Sequence, residues 1–216
     1  MIKKIQASKS EKILFIFLIS LSLFALTSFF LLKNKCLFVE KVNLNNLNFD
    51  NPKNIAVMNL DCGNVVIELY PDIAPKAVER FKTLIKKKLY DGSAFYKVVE
   101  NTLVQAGDLD FGNIEFLDYS KIGKGKSGLG ILKSELNDDF KFTAGSVGLS
   151  RATEFDTEDS EFFITLKEIP IYQGEYTPIG KVIYGLDILK TIKKGNKAIY
   201  VLRPDYINTF RMFKSN

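Results

Sequence analysis

The chain has 216 residues, enough for one sizeable domain plus an accessory segment. It contains no histidine and only two cysteines, Cys36 and Cys62, which excludes histidine triads, histidine general bases, histidine metal ligands and a cysteine zinc site. The formal net charge is +5, but residues 1–53 alone carry eight lysines against Glu11, Glu40 and Asp50, which leaves 22 of the 30 basic and 22 of the 25 acidic residues in a balanced remainder. A nucleic-acid-binding domain would show a basic face of its own, so no nucleic-acid partner is expected, and the lack of histidine and scarcity of cysteine leave no metal expected. Nothing in the sequence suggests that the two cysteines pair.

Residues 1–12 form a short basic tail with Lys3, Lys4, Lys9 and Lys12. Residues 13–32 then run without a charge, long enough for a helix to cross a ~30 Å hydrocarbon core. A cleavable signal peptide is the rival, but its apolar region is shorter and ends at small residues, whereas Phe29 to Leu32 continue this run past Ala25 to Ser28. The lysines before the span favour an inside amino terminus, which places the rest of the chain on the extracytoplasmic, periplasmic side. Residues 33–53 are rich in asparagine and read as a tether, with a short strand at Leu37 to Val42.

From residue 54 the pattern is that of a folded domain. Ile55 to Leu60 and Val65 to Leu69 form a hairpin around Gly63. A helix opens at Pro75, with Ala77, Val78, Phe81, Leu84 and Ile85 at helical spacing. Phe95 to Val99 and Thr102 to Ala106 make a second hairpin, in which strict alternation puts Phe95, Lys97 and Val99 on one face and Tyr96 and Val98 on the other. Residues 112–130 are glycine-rich but lack the context of a phosphate loop, and read as a long surface loop. Strands follow at Ser146 to Leu149, Glu161 to Thr165, Ile179 to Ile183 and Tyr206 to Phe213, with a short helix at Leu186 to Lys193. The expected fold is mainly β: a closed eight-stranded antiparallel barrel capped by two α-helices and preceded by one transmembrane helix.

In their order, these segments resemble the cyclophilins, the peptidyl-prolyl isomerases. The resemblance rests on Val65 through Pro75, on Leu89-Tyr90-Asp91-Gly92, on Phe95-Tyr96-Lys97-Val98 and Gln105-Ala106-Gly107-Asp108, on Gly145 through Arg151, on Ser160 through Ile164, and on Tyr176 through Val182. It implies a site in an outer groove of the barrel, acting without a cofactor. Gln105 and Phe163 stand as the family has them, but the catalytic arginine falls on Lys97 and the histidine before it on Tyr96. The groove phenylalanine and methionine fall on Thr102 and Leu103, the substrate-binding glutamine on Glu161, and the phenylalanine lining the proline pocket on Ile179. The implied catalytic pair is Lys97 and Gln105, each a donor. The implied binding surface is Phe95, Thr102, Leu103, Ser150, Arg151, Glu161, Phe163, Tyr172, Tyr176 and Ile179.

Prolyl isomerisation needs an apolar pocket for the ring and donors that favour a twisted amide over a planar one. Lysine keeps the positive charge but lacks arginine's planar fork, and an ionised Glu161 cannot donate. Lys97 and Glu161 are therefore expected to pair across the groove and slow turnover. The reading is a slow, membrane-anchored, monomeric isomerase acting on proline-containing unfolded or extended polypeptides; the alternative is a non-catalytic proline-peptide-binding or chaperone module on the same anchor.

Overall fold

A computed structural model describes residues 8–195 and 200–214 and divides the chain into two compact units, Met1–Phe38 and Val39–Asn216. Most of the basic tail, residues 1–7, lies outside the described residues. In the first unit, helix α1 spans Lys9–Lys33. Ser8 caps it: its hydroxyl accepts from the Glu11 N–H at 3.3 Å, and the Glu11 carboxylate accepts from the Ser8 N–H at 2.6 Å. Lys9–Leu31 has a mean hydropathy of 2.5, long and apolar enough to cross a membrane. The strand expected at Leu37 to Val42 does not form, and the tether instead carries a 3-10 turn at Leu44–Asn46.

The second unit begins with the expected hairpin, β1 (Ile55–Leu60) and β2 (Gly63–Leu69). Helix α2 (Pro75–Lys86) follows, its first free N–H groups at Lys76 and Ala77 donating to the Glu135 carboxylate at 3.2 and 2.8 Å. Its buried face, Ala77, Val78, Phe81, Leu84 and Ile85, matches the helical spacing in the sequence. Phe81 packs on Tyr90, Phe162 and Phe210 with ring centroids 5.2, 5.2 and 5.6 Å away, which fastens the helix to the sheet.

The remaining elements are β3 (Lys97–Val99), β4 (Leu103–Ala106), β5 (Gly112–Asn113), β6 (Phe116–Leu117), β7 (Ser146–Leu149), β8 (Phe162–Thr165), β9 (Pro178–Tyr184), α3 (Leu186–Lys190) and β10 (Thr209–Met212). Eight strands form one antiparallel sheet in the order β10-β1-β2-β9-β7-β8-β4-β3, and β5 pairs with β6 in a separate two-stranded sheet. The expectation of a closed barrel is corrected: the sheet is an open half-barrel whose ends are β10 and β3. Residues 200–207, which approach the gap, exchange backbone hydrogen bonds with residues 92–96 and form isolated bridges, Ala94 to Tyr206 and Lys97 to Tyr200, without building a continuous ladder. Pro204 has no N–H for a ladder and Arg203 adopts φ +61°, so this segment does not run as a strand.

Beyond β6 the glycine-rich segment is a loop, and Asp108 gathers much of its backbone. Asp108 accepts from the N–H groups of Phe111, Gly123, Lys124 and Gly125 at 2.8, 2.6, 3.2 and 3.1 Å. Cys36 and Cys62 are both disulfide-bonded, which nothing in the sequence had suggested.

Gly107 follows β4 at φ +94°, and a Cβ there would stand 2.6 Å from the Ser160 carbonyl oxygen and 3.1 Å from the Glu161 Cα. Both the left-handed backbone and the close approach require glycine. Gly107→Ala is expected to lower stability by about 1–3 kcal/mol in urea denaturation. An unchanged midpoint would show that the two segments part without cost.

Candidate active site

Strand register assembles the site. Lys97 pairs with Gln105 across β3 and β4, and Gln105 pairs with Phe163 across β4 and β8. Directly opposed residues share a sheet face, so Lys97, Gln105 and Phe163 stand in one row over three strands. Val99 and Leu103 form the next pair.

Beside this row lies an aromatic cluster. Leu103, Phe142, Phe163 and Ile169 are buried, with Val99, Phe140, Tyr172 and Tyr176 packed against them. Phe163 lies 5.3 Å from Tyr172 and 5.2 Å from Tyr176, centroid to centroid, and the two tyrosines are 4.5 Å apart. The tyrosine rings cover Phe163, which keeps 2% of its surface exposed, and Leu103 keeps 4%. Phe95 and Ile179, by contrast, are 0% exposed and are not among the residues of this cluster. Thr102 is half-buried at the rim, its hydroxyl donating to the Glu100 carbonyl at 3.1 Å.

The polar side of the cleft departs from the sequence expectation. Lys97 does not pair with Glu161, and among the described residues its ammonium has neither an ion pair nor a hydrogen bond. Glu161 is held instead by Tyr96, whose hydroxyl donates to its Oε2 in a short bond, and by Gln105, whose Nε2 donates to the same oxygen at 2.9 Å. Gln105 Nε2 also lies 2.5 Å from Tyr96 OH and 3.0 Å from Ser150 Oγ. Strict alternation had turned Tyr96 away from this face. The strand begins only at Lys97, so the two-residue period does not extend back to Tyr96.

Burial, followed by the Glu161 charge, pushes the Tyr96 phenol well above its ordinary range, so it remains a proton donor. Burial also raises Glu161, against the lowering effect of the bonds from Tyr96 and Gln105. Burial lowers Lys97, and the Glu161 charge acts in the opposite sense. Lys97 is thus a half-buried cation that feels a carboxylate without touching it.

Arg151 is occupied as a clamp between two loops. Its Nε donates to the Glu175 carbonyl at 3.0 Å, Nη2 to the Glu175 carboxylate at 3.1 Å, and Nη1 to the carbonyls of Ala152 and Thr153 at 3.1 and 2.7 Å. Its guanidinium lies 4.2 Å from the Phe155 ring centroid and 5.0 Å from that of Tyr176. Ser150 donates its backbone N–H to the Glu161 carbonyl at 2.8 Å. Between these elements and the glycine-rich loop lies a polar cavity of about 60 Å³, lined by Gly125, Ser150, Thr157 and Glu161 among others. Among the described residues no three metal-ligating side chains come together. Sequence reasoning missed Phe142, which is 1% exposed in the middle of the aromatic cluster; it lies in an irregular segment where no periodicity marks it.

The raised Glu161 value has a sign. A carboxyl whose folded-state pKa exceeds its unfolded one contributes stability below the unfolded value, and that contribution is lost as pH rises through the folded value. Glu161→Gln removes this loss. The variant is expected to unfold at a higher temperature than the parent at about pH 8, with the gap closing towards about pH 4. A gap independent of pH would contradict this.

Comparison with known proteins places this geometry in a family. The profile of the cyclophilin type peptidyl-prolyl cis-trans isomerases matches residues 55–211. A probable peptidyl-prolyl cis-trans isomerase of Brucella suis is 37% identical over 148 residues, covering 68% of this chain and 75% of the relative. A Schizosaccharomyces pombe isomerase is 34% identical over 133 residues, covering 59% of this chain and 77% of its own. A cyclophilin of Hirschia baltica has a similar fold, with a TM-score of 0.62 at 20% identity over 74% of both chains. So does a Cryptosporidium parvum cyclophilin-type isomerase crystallised in the presence of the dipeptide Ala-Pro, with a TM-score of 0.64 at 24% identity over 75% of this chain and 99% of that one. The chain belongs to the cyclophilin-type peptidyl-prolyl cis-trans isomerases.

Proposed function

We propose that this isomerase rotates X–Pro bonds of unfolded or extended polypeptides, with Lys97 as the cation that favours the twisted amide. The observation that supports this most is the position of Lys97: half-buried, unpaired among the described residues, and beside an apolar cluster. Amide resonance sets a barrier of about 18–20 kcal/mol. Twisting the bond breaks that resonance and localises a lone pair on the prolyl nitrogen. A partly desolvated ammonium stabilises this charge distribution more than that of the planar amide, which is the condition for rate acceleration.

The prolyl ring packs against Leu103, Phe163, Tyr172 and Tyr176. Because Phe163 is almost covered, the ring gains access as Tyr172 swings off it, a rotation of a partly exposed side chain. That displacement, and the lack of a second rigid donor at position 97, both favour slow turnover. The dipeptide in the Cryptosporidium parvum crystals is of the chemistry this surface suits.

Helix α1 serves in this reading as a membrane anchor, supported by its 25 residues and apolar composition. The lysines before the span and the disulfide-bonded cysteines favour an oxidising, extracytoplasmic location for the domain. The clients are then polypeptides newly delivered to that side.

Lys97→Met removes the charge while keeping the stem, and is expected to lower kcat/KM by about 10²-fold, the scale of losing one preorganised donor. Lys97→Arg restores the charge with a planar fork and is expected to exceed the parent. A protease-free isomerisation assay on an X–Pro peptide reads both. Equal rates for all three chains would remove Lys97 from the mechanism.

A further inference from the structure

We infer that Glu161 is a positioning residue that locks the Gln105 side-chain amide with its nitrogen inward, so that Gln105 presents an acceptor to the cleft and the site selects peptides carrying a backbone N–H beside the proline. This rests on the reading of the cleft as the peptide site, and it reverses the donor role that the family resemblance implies for Gln105.

The hydrogen-bond pattern sets the amide's orientation. Gln105 Nε2 has three acceptors within reach: Tyr96 OH at 2.5 Å, Glu161 Oε2 at 2.9 Å and Ser150 Oγ at 3.0 Å. An ionised carboxylate only accepts. The Tyr96 proton is already committed to Glu161, so towards Gln105 the phenolic oxygen only accepts as well. Turning the amide over would set Gln105 Oε1 against two oxygens that have no proton to offer it. A carboxylate at position 161 therefore permits one orientation, whereas a glutamine there, with a donor and an acceptor of its own, would permit both.

The Gln105 carbonyl oxygen has no donor among the described residues. It is not fully enclosed, since among the described residues the fully buried side-chain polar atom without a partner is Ser146 Oγ, and the Gln105 residue keeps 6% of its surface exposed. Lys97 stands directly across the ladder from Gln105. A peptide entering the cleft thus meets a cationic donor and a neutral acceptor side by side, complementary to the C=O and N–H that an extended backbone carries in close succession. A proline or an N-methylated residue at the matching position has no N–H and leaves Oε1 unsatisfied on binding. Consecutive prolines are the sequence class this arrangement disfavours.

The test uses the full chain in detergent and an X–Pro peptide methylated, one at a time, on the backbone amides flanking the proline. Affinity is measured by titration and turnover by exchange NMR. In the parent, one methylation is expected to weaken binding about tenfold or more, and in Glu161→Gln the same methylation is expected to cost less than about threefold, because the amide is then free to turn. Gln105→Leu lacks the acceptor and must lose the discrimination too, which keeps the test open if Glu161→Gln does not fold. A parent indifferent to every methylation, or an undiminished penalty in either variant, overturns the inference. Discrimination in affinity without turnover in any chain supports it and counts instead against Lys97 as catalyst.

Discussion

The half-buried Glu161 carboxylate takes its bonds from Tyr96 and Gln105 rather than from Lys97, and the character of the cleft follows from that choice. A salt bridge would have neutralised the cation and drawn it across the groove. With the carboxylate satisfied by a phenol and an amide, Lys97 keeps its charge in a half-desolvated position, influenced by Glu161 only at a distance. Two changes that look in sequence like a matched pair of opposite charges thus make separate contacts: Glu161 bonds Tyr96 and the Gln105 amide, and Lys97 has no ion pair among the described residues.

The scaffold holds this arrangement from behind. Tyr90, fully buried under α2, donates its hydroxyl to the Ser160 carbonyl at 2.7 Å, and the Ser160 hydroxyl donates to the Gly107 carbonyl at 2.8 Å. Glu161 is therefore fixed at the point where β4 ends and β8 begins, with no side chain at Gly107 to push it away. On the opposite side the Arg151 clamp ties residues 152–153 to Glu175 and sets Tyr176 beneath a guanidinium. The loops supply Phe142, Ile169, Tyr172 and Tyr176 to the aromatic cluster, while β4 and β8 supply both its Leu103 and Phe163 and the Gln105 of the polar row.

Much of this was legible in the sequence because it rests on local pattern. The hairpin around Gly63, the helix beginning at Pro75 and a second hairpin that carries Lys97 and Gln105 on neighbouring strands all follow from periodicity and turn chemistry, and all are present. Closure of the barrel was not legible, since it depends on how residues 200–207 reach the far edge, where Pro204 and the left-handed Arg203 break the ladder. The side on which Tyr96 lies was misjudged because alternation was extended one residue beyond the strand's real start. Position-by-position transfer from the family drew Phe95 and Ile179 into the groove, but in this chain both are sealed in the interior. The partner of Glu161 was beyond reach because opposite charges in sequence do not reveal which of several neighbours has the shorter path to a buried oxygen.

The central claim is that a half-buried lysine without an ion pair among the described residues, beside an apolar cleft, favours the rotated amide. Exchange spectroscopy on a single X–Pro peptide with a catalytic amount of the full chain tests it most directly. The account predicts magnetisation passing between the cis and trans proline signals well within the uncatalysed time of tens to hundreds of seconds. Shifts of the peptide signals on binding, with the cis and trans populations exchanging no faster than in free solution, would contradict it.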